Sequence, residues 1–419
     1  MGEKMSLTNW AGNLAYHAAV VVAPKTIAEA QESVRAAPKL RALGSRHCFN
    51  DIADTPGTQL SLEKLRGISV DKAGSTVTVE GGVRYDDLCP ALHAHGYALH
   101  NLASLPHISI AGAAATSTHG SGALGSLATA ITAIEFINAK GDLVTLSREN
   151  DGDTFAGAVV NLGALGVVTN VTLAIEPAFT VRQDVYEDLP VAAAAEHFDE
   201  IMSAGYSVSY FTDWRGDTVN QVWIKTRGDT FAAPPSFFGA RPATKKLHPI
   251  AALDATNCTD QMGAPGSWFE RLPHFNIGSV PAGGSELQVE YFVPREHAPA
   301  AVRLLSGWGE RLAPVLMISE VRTIAADDLW MSPFYKEPCV AFHFSFEKDW
   351  PAVRPLLVGM EEALAPFRPR PHWGKLFAMP PSAIQRRYQR LPDFRDLCAT
   401  YDPGGKFRNK YVETYVFGG

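Results

Sequence analysis

One histidine stands among small residues in the segment Arg41-Ala-Leu-Gly-Ser-Arg-His-Cys-Phe-Asn50. Gly44 and Ser45 let the backbone pass close to a ligand, since glycine tolerates unusual backbone angles and leaves its amide exposed. Successive amides in such a loop form a concave site that suits a pyrophosphate. His47 adds an imidazole, which in its neutral form is nucleophilic near physiological pH. The segment is neither a G-x-G-x-x-G dinucleotide fingerprint nor a phosphate loop ending in Gly-Lys-Ser/Thr.

A second segment has a composition that suits a large planar ligand. Between Ala111 and Gly122 no residue is larger than Thr, apart from His119. Small side chains over this length let the backbone lie flat against a ring system. His119 is interpreted here as a residue that packs against the backbone.

Two strand-like segments place polar side chains on shared faces. Residues two apart on a strand point to the same side, which pairs Glu320 with Arg322 and His343 with Ser345. A carboxylate accepts hydrogen bonds and a guanidinium donates them, so Glu320 and Arg322 together can hold several hydroxyl groups. From spacing alone, a cross-strand ion pair at the surface explains these two residues equally well.

Lys375 follows Pro371-His-Trp-Gly, in which proline and glycine fix the chain at a turn. A lysine held there can place its ammonium beside a reacting oxygen, and the alternative is a surface lysine at a domain junction. A metal site is not predicted, because His372 stands alone and the chain has no H-E-x-x-H sequence or aspartate cluster. The segment from Gly163 to Gly166 lacks the serine of a nucleophile elbow, which argues against a hydrolase.

The histidine loop and the small-residue segment resemble those of the vanillyl-alcohol oxidase family of flavoproteins. In that family such a loop holds the pyrophosphate of FAD, and its histidine often bonds to the 8α-methyl of the isoalloxazine, a position that His47 takes here. Three further segments, Asn9-Trp-Ala-Gly-Asn13, Ala103-Ser-Leu-Pro-His107 and Pro371-His-Trp-Gly-Lys375, look like those of the bacterial alditol oxidases within this family. The likeness runs over nearly the whole chain.

The resemblance implies roles for individual residues. It predicts that FAD is bonded covalently to His47 and is contacted by Gly44, Ser45, Arg46, His47, Cys48, Ser104, Ser109, Gly112, Ala115, Thr116, Thr118, His119, Gly166, Val168 and His372. It predicts a polyol site formed by Ser104, Glu320, Arg322, Ser345 and Lys375, with Arg322, His343 and Lys375 as catalytic residues. Arg46 and Cys48 depart from the commonest loop pattern, which has glycine and serine there. Arg46 can add a charge to the pyrophosphate contact, and Cys48 is interpreted as a small filler.

The activity that the resemblance implies is oxidation of the terminal carbinol of a polyol such as xylitol or sorbitol. A hydride passes to flavin N5 and the electrons pass to oxygen, which gives an aldose and hydrogen peroxide. His343 is the candidate to receive the hydroxyl proton, and Lys375 and Arg322 would stabilise negative charge.

Two alternatives stay open. One is an aldonolactone dehydrogenase or oxidase of the same family, because Ala103 lies where relatives control oxygen access with Gly or Ala. The other is a sugar-binding protein without redox function on the same fold, against which His47, Arg322 and Lys375 argue.

Hydrophobic periodicity predicts the elements that position these residues. A first strand is expected between Trp10 and Ala23, a helix from the Thr26 N-cap to about Ala36, and a second strand that ends at Leu43. This strand-helix-strand order indicates an α/β opening. After residue 177, strands over 285–293, 315–324 and 339–346 and a helix over 298–312 indicate a mixed unit built on an antiparallel sheet.

Together with the resemblance, these patterns predict an α+β fold of the vanillyl-alcohol oxidase type with two domains. Residues 1–177 are expected to form an FAD-binding α/β domain. Residues 178–370 are expected to form a substrate (cap) domain with a large antiparallel sheet flanked by helices, and residues 371–419 to return to the first domain.

Composition limits the partners of the 419-residue chain. A net charge of -7 argues against a nucleic-acid surface. The five cysteines form no C-x-x-C pair, so neither a disulfide framework nor a zinc site is indicated. Because no export signal and no run of about 18 apolar residues occurs, a cytoplasmic protein off the membrane is expected. We expect a monomer that binds a small polyol and molecular oxygen.

Overall fold

The computed structural model describes residues 7–228, 233–278 and 286–418. The strands up to residue 177 are β1 (Val20–Val22), β2 (Leu40–Leu43), β3 (Thr58–Ser61), β4 (Ile68–Asp71), β5 (Thr76–Glu80), β6 (Tyr97–Ala98), β7 (Ile131–Ile137), β8 (Leu143–Ser147), β9 (Val167–Ala174) and β10 (Glu176–Pro177). The α-helices of this part are α1 (Ile27–Ala36), α2 (Tyr85–Ala94), α3 (Ile110–Ala115) and α4 (Arg148–Val159), and short 3-10 turns cover Asp51–Ala53 and Leu127–Ala130.

The rest of the chain is built on longer strands. They are β11 (Thr180–Pro190), β12 (Ser207–Thr212), β13 (Thr218–Arg227), β14 (Arg241–Pro242), β15 (Gly266–Ser267), β16 (Glu286–Pro294), β17 (Leu316–Ile324), β18 (Cys339–Glu347) and β19 (Arg370–Pro371). The helices are α5 (Val191–Glu196), α6 (Phe198–Met202), α7 (Trp268–Arg271), α8 (Ala298–Ser306), α9 (Gly309–Leu312), α10 (Trp350–Leu364), α11 (Pro381–Gln385), α12 (Leu391–Tyr401) and α13 (Lys410–Val412). Two 3-10 turns, Arg295–His297 and Ala365–Phe367, and a π-helical turn, Glu413–Phe417, complete this part.

Three sheets lie in the described residues up to 177, and the smallest pairs β6 with β10 antiparallel. Strands β1, β3 and β2 pair in that order and in parallel, while β4, β5, β9, β7 and β8 form an antiparallel sheet. Helix α1 begins after Thr26, whose side chain accepts a hydrogen bond from the Glu29 amide, as the sequence predicts. Its buried face packs on the parallel sheet, and Phe407 from near the C-terminus joins the same apolar cluster.

The stretch from Trp10 to Ala23 differs from the expected strand, because only Val20–Val22 forms a ladder with another strand and Ala15 makes a single bridge to Thr8. The earlier residues lie over the histidine loop instead. The Trp10 amide donates to the Arg46 carbonyl at 2.8 Å, and the Asn13 side chain donates to the Phe49 carbonyl at 2.9 Å. The Trp10 amide thus finds its acceptor in the loop rather than in a neighbouring strand.

The large antiparallel sheet expected after residue 177 is confirmed. In the part of the chain that the structure describes it has nine strands, with the order β14-β11-β13-β12-β17-β18-β16-β19 and β15 paired to β11. Its middle strands are buried on both faces, so their polar residues cannot all face solvent. These polar residues are therefore candidates for a binding site.

The helix expected over residues 298–312 is two helices, α8 and α9, that meet at Gly307 and Trp308. A Cβ atom on Gly309 would lie 2.0 Å from the Trp214 carbonyl oxygen. The chain therefore turns where only glycine allows this close backbone approach. No helix in the described ranges is both long and apolar enough to cross a membrane.

Candidate active site

A cavity of about 500 Å³ lies between the small-residue loops of the first part and the large antiparallel sheet. It brings together every residue that the sequence singled out for a site: Gly44, Ser45, Arg46, His47, Cys48, Ser104, Ser109, Gly112, Ala115, Thr116, Thr118, His119, Gly166, Val168, Glu320, Arg322, His343, Ser345, His372 and Lys375. Their roles stay predictions, but their placement in one cavity is a property of the fold.

His47 lies at the loop end of this cavity. Its ring stacks on Trp10 with centroids 5.2 Å apart, and the His107 ring lies 4.8 Å away. Both ring nitrogens are screened from solvent and have no hydrogen-bond partner among the described residues. Burial, His107 and Lys375 lower the pKa of His47 to about 3. The imidazole is therefore neutral at neutral pH, with a lone pair available to a bound group.

The loop that carries His47 approaches the start of α3 closely. The Ser109 amide donates to the Ser45 hydroxyl at 3.0 Å, and a Cβ atom on Gly44 would meet the Ser109 hydroxyl at 2.6 Å. Arg46 adopts a φ of 64°, a left-handed conformation that costs a non-glycine residue about 1 kcal/mol. This explains in physical terms why glycine is the commoner residue at that position. The small residues of the loop fit the pyrophosphate of FAD, and the unpartnered His47 nitrogens fit a contact with its ring.

Arg41 on β2 ties the loops around this end together. Its guanidinium donates to the carbonyls of Gly163, Leu162 and Phe407 at 2.8 Å each, and also to that of Ile52. Burial lowers the pKa of Arg41 to about 10, which leaves the side chain charged at neutral pH. One side chain thus holds the glycine-rich loop, the 3-10 turn and the C-terminal segment in place.

The opposite wall of the cavity is a row of residues across adjacent strands of the large sheet. Glu290 on β16 pairs with His343 on β18, His343 pairs with Glu320 on β17, and Glu320 pairs with Phe211 on β12. Alternation along each strand adds Arg322 beside Glu320. Strand register therefore converts four separate sequence positions into one polar surface.

Opposite charges on this wall are closely paired. Arg322 Nη2 lies 2.6 Å from Glu290 Oε1, and Arg322 Nε lies 3.6 Å from Glu320 Oε2. Burial favours the neutral acid of Glu290, but His119 and Arg322 outweigh it and hold the pKa of Glu290 well below its usual range. Glu320 is also buried, and Arg322 and His274 lower its pKa. Both carboxylates are thus ionised acceptors at neutral pH.

The turn that carries Lys375 is fastened to the histidine loop. The Asn50 side chain donates to the carbonyls of Trp373 and Lys375 at 2.8 Å each, and the Phe49 amide donates to the Gly374 carbonyl at 2.8 Å. The Lys375 ammonium donates to the Gln288 side chain inside the cavity. Its pKa is lowered by burial, and the residue lines the cavity rather than the outer surface.

Sequence reasoning missed three residues of this site. Gln288 and Glu290 alternate with apolar residues along β16, but this pattern does not show which face of the strand meets the cavity. His274 lies in a loop without a periodic pattern, and its Nε2 is 2.7 Å from Glu320 Oε1. His119 does more than pack against backbone, since its Nε2 lies 3.3 Å from Glu290 Oε1. No signal in the sequence marks His274, whereas the polar alternation of β16 could have marked Gln288 and Glu290.

Comparisons with known proteins agree with this geometry. Residues 18–147 match the family model of an FAD binding domain, and residues 284–415 match that of D-arabinono-1,4-lactone oxidase. The chain is 46% identical to an alditol oxidase of Streptomyces sp. (strain IKD472 / FERM P-14339), over 99% of both chains. It is 29% identical to an L-gulono-1,4-lactone dehydrogenase of Mycobacterium tuberculosis, over 97% of both chains.

Solved structures show the same fold at low identity. A solvent-stable cholesterol oxidase superposes with a TM-score of 0.80 at 14% identity, covering 98% of this chain and 97% of that one. The cholesterol oxidase from B. sterolicum superposes with a TM-score of 0.79 at 15% identity, covering 98% and 96%. The full-length match at 46% identity, together with the FAD-binding match over the histidine loop, shows that the chain belongs to the alditol oxidases of the vanillyl-alcohol oxidase family.

Proposed function

We propose that this chain is an FAD-dependent alditol oxidase, which oxidises the terminal CH2OH of a polyol such as xylitol or sorbitol to the aldehyde and yields an aldose and hydrogen peroxide. The observation that carries the proposal is the polar wall of Glu290, His343, Glu320 and Arg322 facing the His47 loop across one cavity. A polyol offers little apolar surface, so its binding must come from polar contacts of this kind.

FAD would be held by the loop residues from Gly44 to Cys48 and by the small residues of α3 and its neighbours. Bound FAD supplies the acceptor for the hydride at N5 and the route by which electrons reach oxygen. The covalent bond is proposed at His47, because its imidazole is neutral and both its nitrogens lack partners among the described residues. The neighbouring Cys48 is a poor alternative, since burial raises the pKa of its thiol to about 11.

The substrate hydroxyls would be held by complementary donors and acceptors. Glu320 accepts hydrogen bonds, and Arg322 and Lys375 donate them. Ser104 lies 3.4 Å from Arg322 Nη1, which places its hydroxyl beside the same groups. Ser345 Oγ lies 3.3 Å from His343 Nε2 and extends the polar wall along β18.

His343 is the group proposed to take the hydroxyl proton. Its Nδ1 has no hydrogen-bond partner among the described residues and lies 3.9 Å from Glu290 Oε2. An imidazolium formed there is stabilised by the Glu290 carboxylate. Arg322 and Lys375 then stabilise negative charge that develops on the substrate oxygen or beside the flavin.

The proposed division of the chain into domains is the one that the sequence predicts. Residues 1–177 would form the FAD-binding domain, 178–370 the substrate (cap) domain and 371–419 the return segment. Packing of Phe407 with α1 and attachment of the Lys375 turn to the histidine loop support the return. We also propose a cytoplasmic monomer, whose five free cysteines suit a reducing compartment.

A second candidate activity is oxidation of an aldonolactone. It is favoured by the match of residues 284–415 to the D-arabinono-1,4-lactone oxidase model. Peroxide production measured over a panel of xylitol, sorbitol and aldonolactones separates the two activities. We expect peroxide with the alditols, and peroxide only with a lactone would reverse the assignment. Reduction of a dye without oxygen uptake would indicate a dehydrogenase, and no turnover at all would favour a sugar-binding protein.

A further inference from the structure

Lys225 on β13 is a fully buried lysine, with 1% of its surface exposed. Its ammonium donates to the Leu272 carbonyl at 2.5 Å, to the Pro273 carbonyl at 3.0 Å and to His274 Nδ1 at 3.1 Å. A lysine ammonium has three donors and no acceptor, so these three contacts satisfy it completely. Among the described residues no carboxylate forms an ion pair with it directly, although burying an unpaired charge is costly.

The acceptor that distinguishes this site is His274. Its ring is held edge-on by Phe211 and Trp223, with centroids 5.3 Å away in each case. Nδ1 faces Lys225, and Nε2 lies 2.7 Å from Glu320 Oε1. Burial lowers the pKa of Lys225 to about 7, and in its ammonium form the side chain can only donate. Opposite that ammonium Nδ1 accepts, and the single proton of the neutral ring sits on Nε2. Nε2 then donates to the Glu320 carboxylate.

We propose that Lys225 and His274 are positioning residues, which fix the tautomer of His274 and so hold the Glu320 carboxylate ionised and oriented toward the polyol. The chain Lys225–His274–Glu320 crosses from β13 to β17 through one imidazole. The inference rests on the substrate-binding role proposed for Glu320 and deepens it.

The tautomer of His274 decides which of its two nitrogens can donate a hydrogen bond. Burial lowers the pKa of His274 to about 4, with Lys225 the next cause, so the ring is neutral at neutral pH and carries one proton. Without the ammonium, that proton can move to Nδ1 and bond the nearby carbonyls. The Nε2 lone pair would then face the Glu320 carboxylate and repel it. Glu320 would turn away from the substrate or take up a proton.

A purely structural reading is that Lys225 only pins the loop around residues 272–274. The His274 amide also donates to the Ser104 carbonyl at 3.3 Å, so this loop has another attachment to the site. The two readings differ in what they predict for substrate affinity, for the limiting rate and for the dependence of both on residue 320.

The test uses the flavin-loaded enzyme with Lys225→Met and the matched control Lys406→Met. Lys406 also donates to a buried carbonyl, that of Val34, but it lies outside the cavity. We expect Lys225→Met to raise KM for xylitol about tenfold while the limiting rate of flavin reduction stays within about threefold. Lys225→Arg, which keeps the charge, should recover most of the affinity. Lys406→Met should leave both constants unchanged.

A double-mutant cycle with Glu320→Gln separates this inference from the proposed function. An amide at residue 320 can flip to donate to Nε2, so the tautomer of His274 should no longer matter and Lys225→Met should add no further loss. If Glu320→Gln leaves KM unchanged, the substrate role of Glu320 is wrong and the inference goes with it. Suppose instead that Glu320→Gln raises KM. The positioning role alone is then overturned if Lys225→Met leaves KM unchanged, or if Lys225→Met has its full effect in the Glu320→Gln background as well.

If Lys225→Met does not fold, two variants of His274 provide the test instead. His274→Gln can still donate an amide proton toward Glu320, while His274→Leu cannot. We expect KM near the parent value for Gln and about tenfold higher for Leu. Equal KM values for the two variants, at equal flavin content, would overturn the proposal.

Discussion

At the scale of single residues, the chemistry depends on groups whose charge is set by burial. His47 is neutral because burial lowers its pKa, and the adjacent Cys48 stays protonated because burial raises its pKa. The sequence could identify His47, since a lone histidine in a glycine loop is a local pattern. It could not identify His274, because that residue acts through contacts that only the folded chain creates.

Replacing His47 tests the covalent link to FAD. In His47→Ala the fluorescent flavin band on a denaturing gel should disappear, because the nucleophilic imidazole is gone. Cys48→Ser is the matched control and should keep the band. Flavin that acid releases quantitatively from the parent protein would rule out the bond.

Replacing Lys375 tests whether its ammonium stabilises charge in the chemical step. Its ammonium sits in the cavity against Gln288, where the turn fixes it. Lys375→Met should slow flavin reduction by xylitol two to three decades, since a preorganised charge is typically worth about 3–4 kcal/mol in the transition state. Anaerobic stopped flow measures this, with Lys406→Met as the control. A rate within about threefold of the parent would leave Lys375 without the proposed role.

At the scale of elements, the site is made by strand register and by loops held from behind. Alternation along β17 and β18 predicted that Glu320 and Arg322 share a face, and that His343 and Ser345 do. It could not predict that Glu290 faces His343, because register between strands depends on turns and on the packing of the whole sheet. The sequence therefore located pairs, and the fold assembled them into a row.

Arg41 tests how the loops around the cavity are held. Arg41→Met would leave the carbonyls of Gly163, Leu162 and Phe407 without this donor, while that of Ile52 keeps the Asn409 side chain. We expect a loss of about 3–5 kcal/mol in the free energy of unfolding. Arg35→Met is the control, because Arg35 is exposed and donates to the single carbonyl of Gly141. Urea unfolding of the two variants measures the difference. Equal losses would show that Arg41 has no special part in holding the loops.

At the scale of the whole molecule, burial makes several histidines harder to protonate. Burial is the main cause that lowers the pKa of His100, His119, His248, His274 and His372. The unfolded chain binds these protons near pH 6.5 and the folded chain binds them less readily, so stability falls as the pH drops below about 6.5. Asp327, whose pKa burial raises to about 6, opposes this trend, and burial also raises the pKa of Asp51, Asp86 and Glu361.

The expected result is lower stability at pH 5.5 than at pH 7, by about 1 kcal/mol for each histidine that stays neutral. Urea unfolding of the flavin-loaded protein at the two pH values measures it. His100→Gln should weaken the dependence, because one such group is removed. A midpoint that is unchanged or higher at pH 5.5 would contradict the assignment of neutral buried histidines.

The central claim is that the cavity oxidises an alditol and that oxygen takes the electrons. The most direct measurement is the visible absorbance of the flavin when anaerobic enzyme is mixed with xylitol and then exposed to air. We predict that the yellow absorbance is lost with xylitol, returns with air, and is accompanied by hydrogen peroxide in equal amount. Absorbance that persists with xylitol and sorbitol but is lost with an aldonolactone would contradict the claim, and so would reduction by xylitol that air does not reverse.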